Sequence, residues 1–278
     1  MLDITRAYGL NFLYPEGDDS VGQMLRDYGE FAPAELGFIA QCLSACESEG
    51  TFLDIGANIG AICLPLATGR DTWRFIAVEG HRGLAQVLSA NAFANGRYNV
   101  EVHNAVVGAA EGLIDFPALS LKETGNFGIV GLHMEQQYQT ERARMTTIDA
   151  LAPSNTRFIK VDVEGHEAEV LRGAEQTLHV TRPIWLLEAN VKHEKAHQEM
   201  RSVLFSAGYD LYWFYSPFVS LNAPSKKSAV PPRRKGDFSV VALPKGTANL
   251  WELPKVADAV EPLPTLVSLF PYLQRFGY

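Results

Sequence analysis

Two hydrophobic rhythms alternate along the chain. Between about residues 51 and 215, β-branched or aromatic runs, TFLDI at 51, RFIAVE at 74, VEVHN at 100, RFIKVDV at 157, PIWLLEA at 183 and YDLYWFY at 209, are separated by amphipathic stretches of helix length. Near-continuous apolar strands joined through helices predict a parallel sheet covered on both faces. Two further runs, LIDF at 113 and RMTTID at 144, bracket the Gly-rich segment TGNFGIVG, which reads as an irregular excursion suited to a binding loop. FSVVALP at 238 alternates and is expected to return as an antiparallel edge strand.

Upstream, Pro33 opens a helix whose Leu36, Ile39, Ala40 and Leu43 recur at helical spacing, and an earlier helix is expected over residues 18 to 28. The pattern divides the chain into an N-terminal helical extension (1–50), an α/β domain (51–245) and a Pro-interrupted aromatic tail (246–278) that docks on the domain.

Composition adds bounds to this picture. Hydrophobic residues make up 47% and charged residues 20%, the balance of a folded globular chain. A formal net charge of -8 argues against nucleic acid as the main partner, since phosphate binding draws its affinity from Lys and Arg. No apolar run approaches the roughly 20 residues of a membrane span, and no basic-then-apolar leader opens the chain, so a cytoplasmic location is expected. Cys42, Cys46 and Cys63 are odd in number and read as reduced thiols rather than a disulfide framework or a metal site.

Candidate chemistry begins at the first strand-to-helix turn, DIGANIG at 54, because ligands of open α/β sheets bind beyond the carboxyl ends of the strands. Gly56 and Gly60 allow a sharp turn and close approach, and Asn58 offers a donor and an acceptor. The next strand ends in Glu79, a carboxylate placed to accept hydrogen bonds from both ribose hydroxyls of an adenosine. The G-x-x-x-G spacing is neither the dinucleotide fingerprint nor a phosphate loop. By themselves these residues fit a nucleoside cofactor of any kind, or glycines that only shape a tight turn.

TFLDIGANIG, then FIAVEG at 75, NAVVG at 104 and FIKVDVEGHEAEVLRGA at 158, resemble the FkbM family of S-adenosylmethionine-dependent methyltransferases. The similarity runs from about Gly29 to Leu243, and its most specific piece is Lys160 to Gly173. The resemblance implies a Rossmann-like class I methyltransferase fold, α/β, with a mostly parallel seven-stranded sheet and helices on both faces. It implies S-adenosylmethionine as cofactor, seated at Asp54, Gly56, Asn58, Gly60 and Glu79, with Asn104 and Ala105 bordering the adenine. It further implies methyl transfer to a hydroxyl of a sugar, glycoconjugate or secondary metabolite. Gly80 stands where the family usually has Pro, which is expected to loosen that turn, and His166 stands where a small or apolar residue is usual.

A hydroxyl nucleophile benefits from a base or from a cation that lowers its proton affinity. Asp162 and Glu164 leave the fourth strand and Glu188 and Asn190 the fifth, so the expected sheet order brings the four together. The expectation is that Asp162 and Glu164 orient the cofactor and activate the acceptor, that Glu188 and Asn190 bind its hydroxyls, and that repulsion raises at least one carboxyl pKa. Glu164, Glu167 and Glu169 also suit a plain helix start, where the dipole favours acids. His166 is an alternative base. A divalent cation on Asp162, Glu188, Asn190 and His193 is possible and is not required by the resemblance.

Two rival signals remain. His193, Glu194 and His197 spell H-E-x-x-H, which on a helix would bind zinc as in a metalloprotease, although no third ligand follows at the usual spacing. Lys226, Lys227, Arg233, Arg234 and Lys235 would rim the site with positive charge, fit for a phosphorylated acceptor or simply a solvated loop. A binding module that has lost catalysis is the non-enzymatic alternative.

Overall fold

Every residue of strand β3 (Thr51–Ile55) is buried, as it must be in a strand with neighbours on both edges and helices on both faces. A computed structural model describes residues 1–46, 48–128, 131–134, 138–225, 236–265 and 267–278. Before β3 come strands β1 (Leu2–Ala7) and β2 (Leu10–Pro15) and helices α1 (Val21–Tyr28) and α2 (Pro33–Ala45). After it follow helix α3 (Cys63–Ala67), strand β4 (Arg74–Glu79), helix α4 (Arg82–Ala94), and strands β5 (Val100–Asn104), β6 (Val106–Val107), β7 (Gly112–Pro117) and β8 (Thr140–Thr146). The chain continues through α5 (Ile148–Leu151), β9 (Thr156–Val161), α6 (Glu167–Arg172), β10 (Ile184–Ala189), α7 (Glu194–Ser206), β11 (Tyr209–Pro217) and β12 (Gly236–Pro244).

The main sheet has seven strands in the order β11-β12-β10-β9-β3-β4-β5. β3, β4, β5, β9 and β10 pair in parallel, and β12 runs antiparallel to both β10 and β11. This corrects one expectation: FSVVALP is antiparallel but lies inside the sheet, and β11 occupies the edge. All five residues Val240–Pro244 except the last are buried, which fits an interior strand better than an edge. The excursion after β5 forms its own three-stranded sheet, β6-β8-β7.

The N-terminus is a second correction. Its first fifteen residues form an antiparallel hairpin, with Leu2 paired to Pro15 and Ala7 to Leu10, rather than helix. Asn91 of α4, fully buried, fastens that hairpin: its Nδ2 donates to the carbonyls of Leu13 and Ile59, and its Oδ1 accepts from Leu13 N–H at 2.7 Å. In α2 the core-facing residues are Ala34, Phe38, Ile39, Cys42 and Leu43, while Leu36 and Ala40 are half-buried. Cys42, Cys46 and Cys63 form no disulfide.

Residues after β12 cover the outer edge of β11, where Trp213 N–H donates to Pro254 O and Val256 N–H to Leu211 O. An exposed edge strand is a template for aggregation, and this segment removes it. Tyr272 stacks on Phe214 at 5.3 Å and lies 5.0 Å from Trp251, which meets Phe38 of α2 at 5.4 Å. No helix of the described residues is long and apolar enough to cross a membrane.

Candidate functional site

At the carboxyl ends of β3, β4 and β9 the chain opens into a cleft of about 160 Å³. Its floor is the first turn. Gly56 adopts φ +81, and a Cβ there would meet the Asp162 carbonyl oxygen at 1.8 Å, so only glycine lets β3 and β9 close at this point. Gly60 has a different duty from the one expected. A side chain there would strike Leu64 and Leu88 of the core, so Gly60 serves the packing of α3 and α4 and does not line the cleft.

Glu79 ends β4 with both oxygens engaged: Oε2 accepts from Asn58 N–H and Oε1 from His81 N–H, each at 2.8 Å. Each oxygen keeps a further lone pair for a ligand. Burial pushes its carboxyl up to about 7, against the lowering effect of these two N–H groups. Asp54, on β3, is 1% exposed, and neither of its oxygens has a hydrogen-bond partner although it lines the cleft. Its pKa is raised by burial and held back by Lys160, whose Nζ lies 3.7 Å away. Asn58 Oδ1 is likewise unpartnered.

Ala105 lines the cleft, but Asn104 does not: its carboxamide turns back to donate to the carbonyls of Glu79 and Gly80 and so fastens the end of β4. Gly80 proves useful rather than loosening, because a Cβ there would lie 3.0 Å from the Phe116 ring, which forms a wall of the cleft. The excursion contributes Asn126, Phe127 and Gly128, and it is anchored opposite by Gly125 N–H donating to Gly17 O. Ile129 and Val130 of the same Gly-rich segment lie outside the described residues, as do the five cations of the basic loop, Lys226, Lys227, Arg233, Arg234 and Lys235.

The turn after β9 holds the acids. Glu164 sits at φ +53 and Gly165 at φ +93, so Glu164 belongs to a left-handed turn and not to the first turn of α6, contrary to the plain helix-start reading. A Cβ on Gly165 would lie 2.5 Å from the His193 ring. Glu167, wholly buried, braces this turn: Oε1 accepts from the N–H groups of Val163 and Gly165, and Oε2 lies 3.2 Å from His197 Nε2. The tautomer that donates Nε2–H to Glu167 leaves Nδ1 to accept Asn190 N–H at 3.0 Å. His197 therefore has both nitrogens occupied within the protein. The H-E-x-x-H match is a structural strut, which overturns the zinc-protease reading.

Asp162 faces the cleft and accepts from Lys160 Nζ at 3.1 Å. Glu188, 8% exposed, borders a smaller adjoining hollow together with Lys160, Asp162 and Asp237. Asn190 does not reach the cleft. Its Nδ2 donates to Glu188 Oε1 and its Oδ1 accepts from Lys192 N–H, so it positions Glu188 rather than presenting a free group. Among the His, Cys, Asp and Glu side chains of the described residues, one group converges within 4.8 Å: Asp162 and Glu188 of the expected set together with Glu164, and without His193. His166 lines the main cleft, and burial holds its imidazole below its ordinary pKa.

Several site residues escape a reading of the sequence alone. Lys160 is buried and faces Asp162, Asp54 and Glu35, with Glu35 Oε1 at 3.9 Å. Burial pushes Glu35 up to about 8, and burial followed by the Asp162 charge pushes Asp237 up to about 7. Burial together with Asp162 likewise pushes Glu164 up to about 8, and Glu188 is raised well above the usual range by burial and by Asp162 and Glu164. A signal that could have found Lys160 is a cation set between Ile159 and Val161, both buried, near the end of a central strand; nothing local marked Glu35 or Asp237.

Sheet order and cleft position define a doubly wound α/β protein whose ligand cleft, lined by Asp54 and Glu79, lies at its strand ends. The family model described as methyltransferase FkbM domain matches residues 54–211, and the chain belongs to that family. Among solved structures, a methyltransferase FkbM from Methylobacillus flagellatus is similar at 17% identity and a TM-score of 0.47, over 70% of this chain and 44% of that one. This chain thus spans less than half of that protein's length. An O-methyltransferase from Thermotoga maritima is similar at 13% identity and a TM-score of 0.47, over 87% and 77% of the two chains. One from Bacillus cereus is similar at 14% identity and a TM-score of 0.45, over 83% and 84%. No curated protein matches.

Proposed function

We propose that the chain is an S-adenosylmethionine-dependent methyltransferase acting on a hydroxyl oxygen of a small polyhydroxylated acceptor, a sugar, glycoconjugate or secondary metabolite. The observation that carries this reading is Asp54: a buried carboxylate with Lys160 Nζ 3.7 Å away and hydrogen-bonding capacity left open on both oxygens, facing a cleft that also holds Glu79. A buried acceptor without a donor is costly unless a ligand supplies one. The cofactor's ammonium and sulfonium suit Asp54, its ribose hydroxyls suit Glu79, and Phe116 and Ala105 offer apolar surface for its base. When bound, S-adenosylmethionine supplies an electrophilic methyl group.

The rest of the cleft supports a hydroxyl acceptor. Asp162, Glu164 and Asp237 make a wall rich in hydrogen-bond acceptors, complementary to hydroxyl donors and repulsive to a polyanion. In this reading Asp162 and Glu164 hold the hydroxyl, while His166, kept neutral at pH 7 by its lowered pKa, takes its proton. Asn190 and Glu167 act as positioning residues behind them.

Incubation with methyl-labelled cofactor and a panel of sugars, glycosides and polyketide-like alcohols tests the proposal. Label is expected on an acceptor oxygen, with His166→Gln lowering kcat by roughly 10²-fold or more while cofactor Kd stays unchanged. Tight cofactor binding without transfer to any hydroxyl would favour the non-catalytic module. An unaltered kcat in His166→Gln would remove His166 as the base.

A further inference from the structure

The acceptor end of the cleft gathers more carboxyl groups than it has cations to pair with them. Glu35, Asp54, Asp162, Glu164, Glu188 and Asp237 border the cleft and its adjoining hollow together with Lys160. Lys160 lies within 4.0 Å of Asp162, Asp54 and Glu35. Among the described residues no ion pair reaches Glu164, Glu188 or Asp237, and Lys192 acts on Glu164 and Asp237 only at longer range.

Two independent observations converge at this unbalanced end. One oxygen each of Asp162, Glu164 and Glu188 lies within 4.8 Å of the others. Opposed oxygens around a bound divalent cation stand roughly 4 to 5 Å apart, since each metal–oxygen distance is about 2.0 to 2.6 Å. Separately, Glu188 is 92% buried, being 8% exposed, and its Oε2 has no hydrogen-bond partner, while Oε1 is held by Asn190 Nδ2 at 2.9 Å. A carboxylate fixed through one oxygen and vacant at the other is the arrangement of a metal ligand supported from behind. Glu164 reaches the same point from a left-handed backbone position, φ +53, braced by Glu167.

We infer that Asp162, Glu164 and Glu188 form a binding site for a hard divalent cation of the Mg²⁺ or Mn²⁺ class. All three donors are oxygens, which selects such ions over zinc. Asp162 and Glu164 also line the main cleft, so an acceptor hydroxyl bound there would be within reach of a cation held by these residues. A cation there lowers the proton affinity of that hydroxyl and leaves its proton to His166. That role rests on the methyl-transfer reading; occupancy of the site does not.

Titration of the full chain with Mn²⁺, followed by the loss of the free-ion electron paramagnetic resonance signal, tests occupancy without cofactor or acceptor. One site is expected, competed by Mg²⁺. Glu188→Gln and Glu164→Gln are each expected to weaken it at least tenfold, while in Glu188→Gln, whose site lies outside the main cleft, binding of adenosylhomocysteine, read by calorimetry, changes less than twofold. Glu188→Gln is isosteric, and Glu164→Gln sits on a surface-accessible turn, so the second variant keeps the test open if the first fails to fold. No Mn²⁺ bound by the wild type at millimolar metal, or wild-type affinity in both variants, would overturn the inference. A protein that binds Mn²⁺ but transfers no methyl group would sink the methyl-transfer reading alone.

Discussion

Glu79 illustrates how one side chain serves fold and ligand together. Its oxygens tie the first turn, through Asn58 N–H, to the start of α4, through His81 N–H. Glu79→Gln keeps the shape but points an NH₂ group at one of these two donors, leaving an N–H without an acceptor. The expected cost is about 1 to 3 kcal/mol, seen as a cofactor Kd weakened roughly 10- to 100-fold in calorimetry. The carboxyl is pushed up to about 7 by burial, and the ionised form is the better acceptor for ribose hydroxyls. Cofactor affinity is therefore expected to level off above pH 7.5 and to decline below pH 7, approaching tenfold per unit, with the slope absent in Glu79→Gln. A slope that persists in the variant would assign the titration to another group.

At the scale of elements, the segment from Asp162 to Glu167 matters most. A strand must end, present two acids to the cleft and begin a helix within six residues, and it does so through left-handed positions at Glu164 and Gly165. Glu167 and His197 hold that shape from below, joining α6 to α7. Glu167→Ala would leave two backbone N–H groups and a buried imidazole without their partner. A loss of about 3 kcal/mol is expected, read as a fall in Tm of roughly 6 to 12 °C, with faster amide exchange at Val163 and Gly165. Unchanged exchange at those amides would mean that the turn is held by its strand and helix alone. The family motif around these residues is thus explained by backbone geometry as much as by chemistry.

For the whole molecule, the buried acids make stability depend on pH in an unusual direction. Glu35 and Glu164 are lifted to about 8, and Glu79 to about 7, with burial the largest cause in each. A carboxyl whose folded pKa exceeds its unfolded value contributes stability below the unfolded pKa and loses it as pH rises through the folded one. The unfolded chain has these groups ionised throughout pH 6.5 to 8.5, whereas the folded chain releases protons across that window. Without metal or cofactor, Tm is expected to drop on the order of 5 °C between pH 6.5 and 8.5, measured calorimetrically in the presence of a chelator. A flat or rising profile would show these carboxyls to be ionised already in the folded state.

The sheet itself was legible because a strand buried on both faces reads as an unbroken apolar run: TFLDI, RFIAVE and RFIKVDV appear in the chain much as they lie in β3, β4 and β9. The places of Gly56, Glu79 and Asp162 were legible too, since they fall at or just past strand ends whatever the strand order. The hairpin at the N-terminus was not, because half of its residues are exposed and its burial depends on Asn91, 78 positions away from Leu13. Asn104, Asn190 and Gly60 carry residue types that suit a ligand, and only their neighbours in space assign them to caps and packing. The same holds for His197, where Glu167 takes the nitrogen a metal would need. Periodicity along a chain records which face of an element is buried, and the motif records where the backbone must bend. Which long-range partner satisfies each buried polar group is settled by tertiary contact, because hydrogen bonds and charges act over a few ångströms of space irrespective of distance along the sequence.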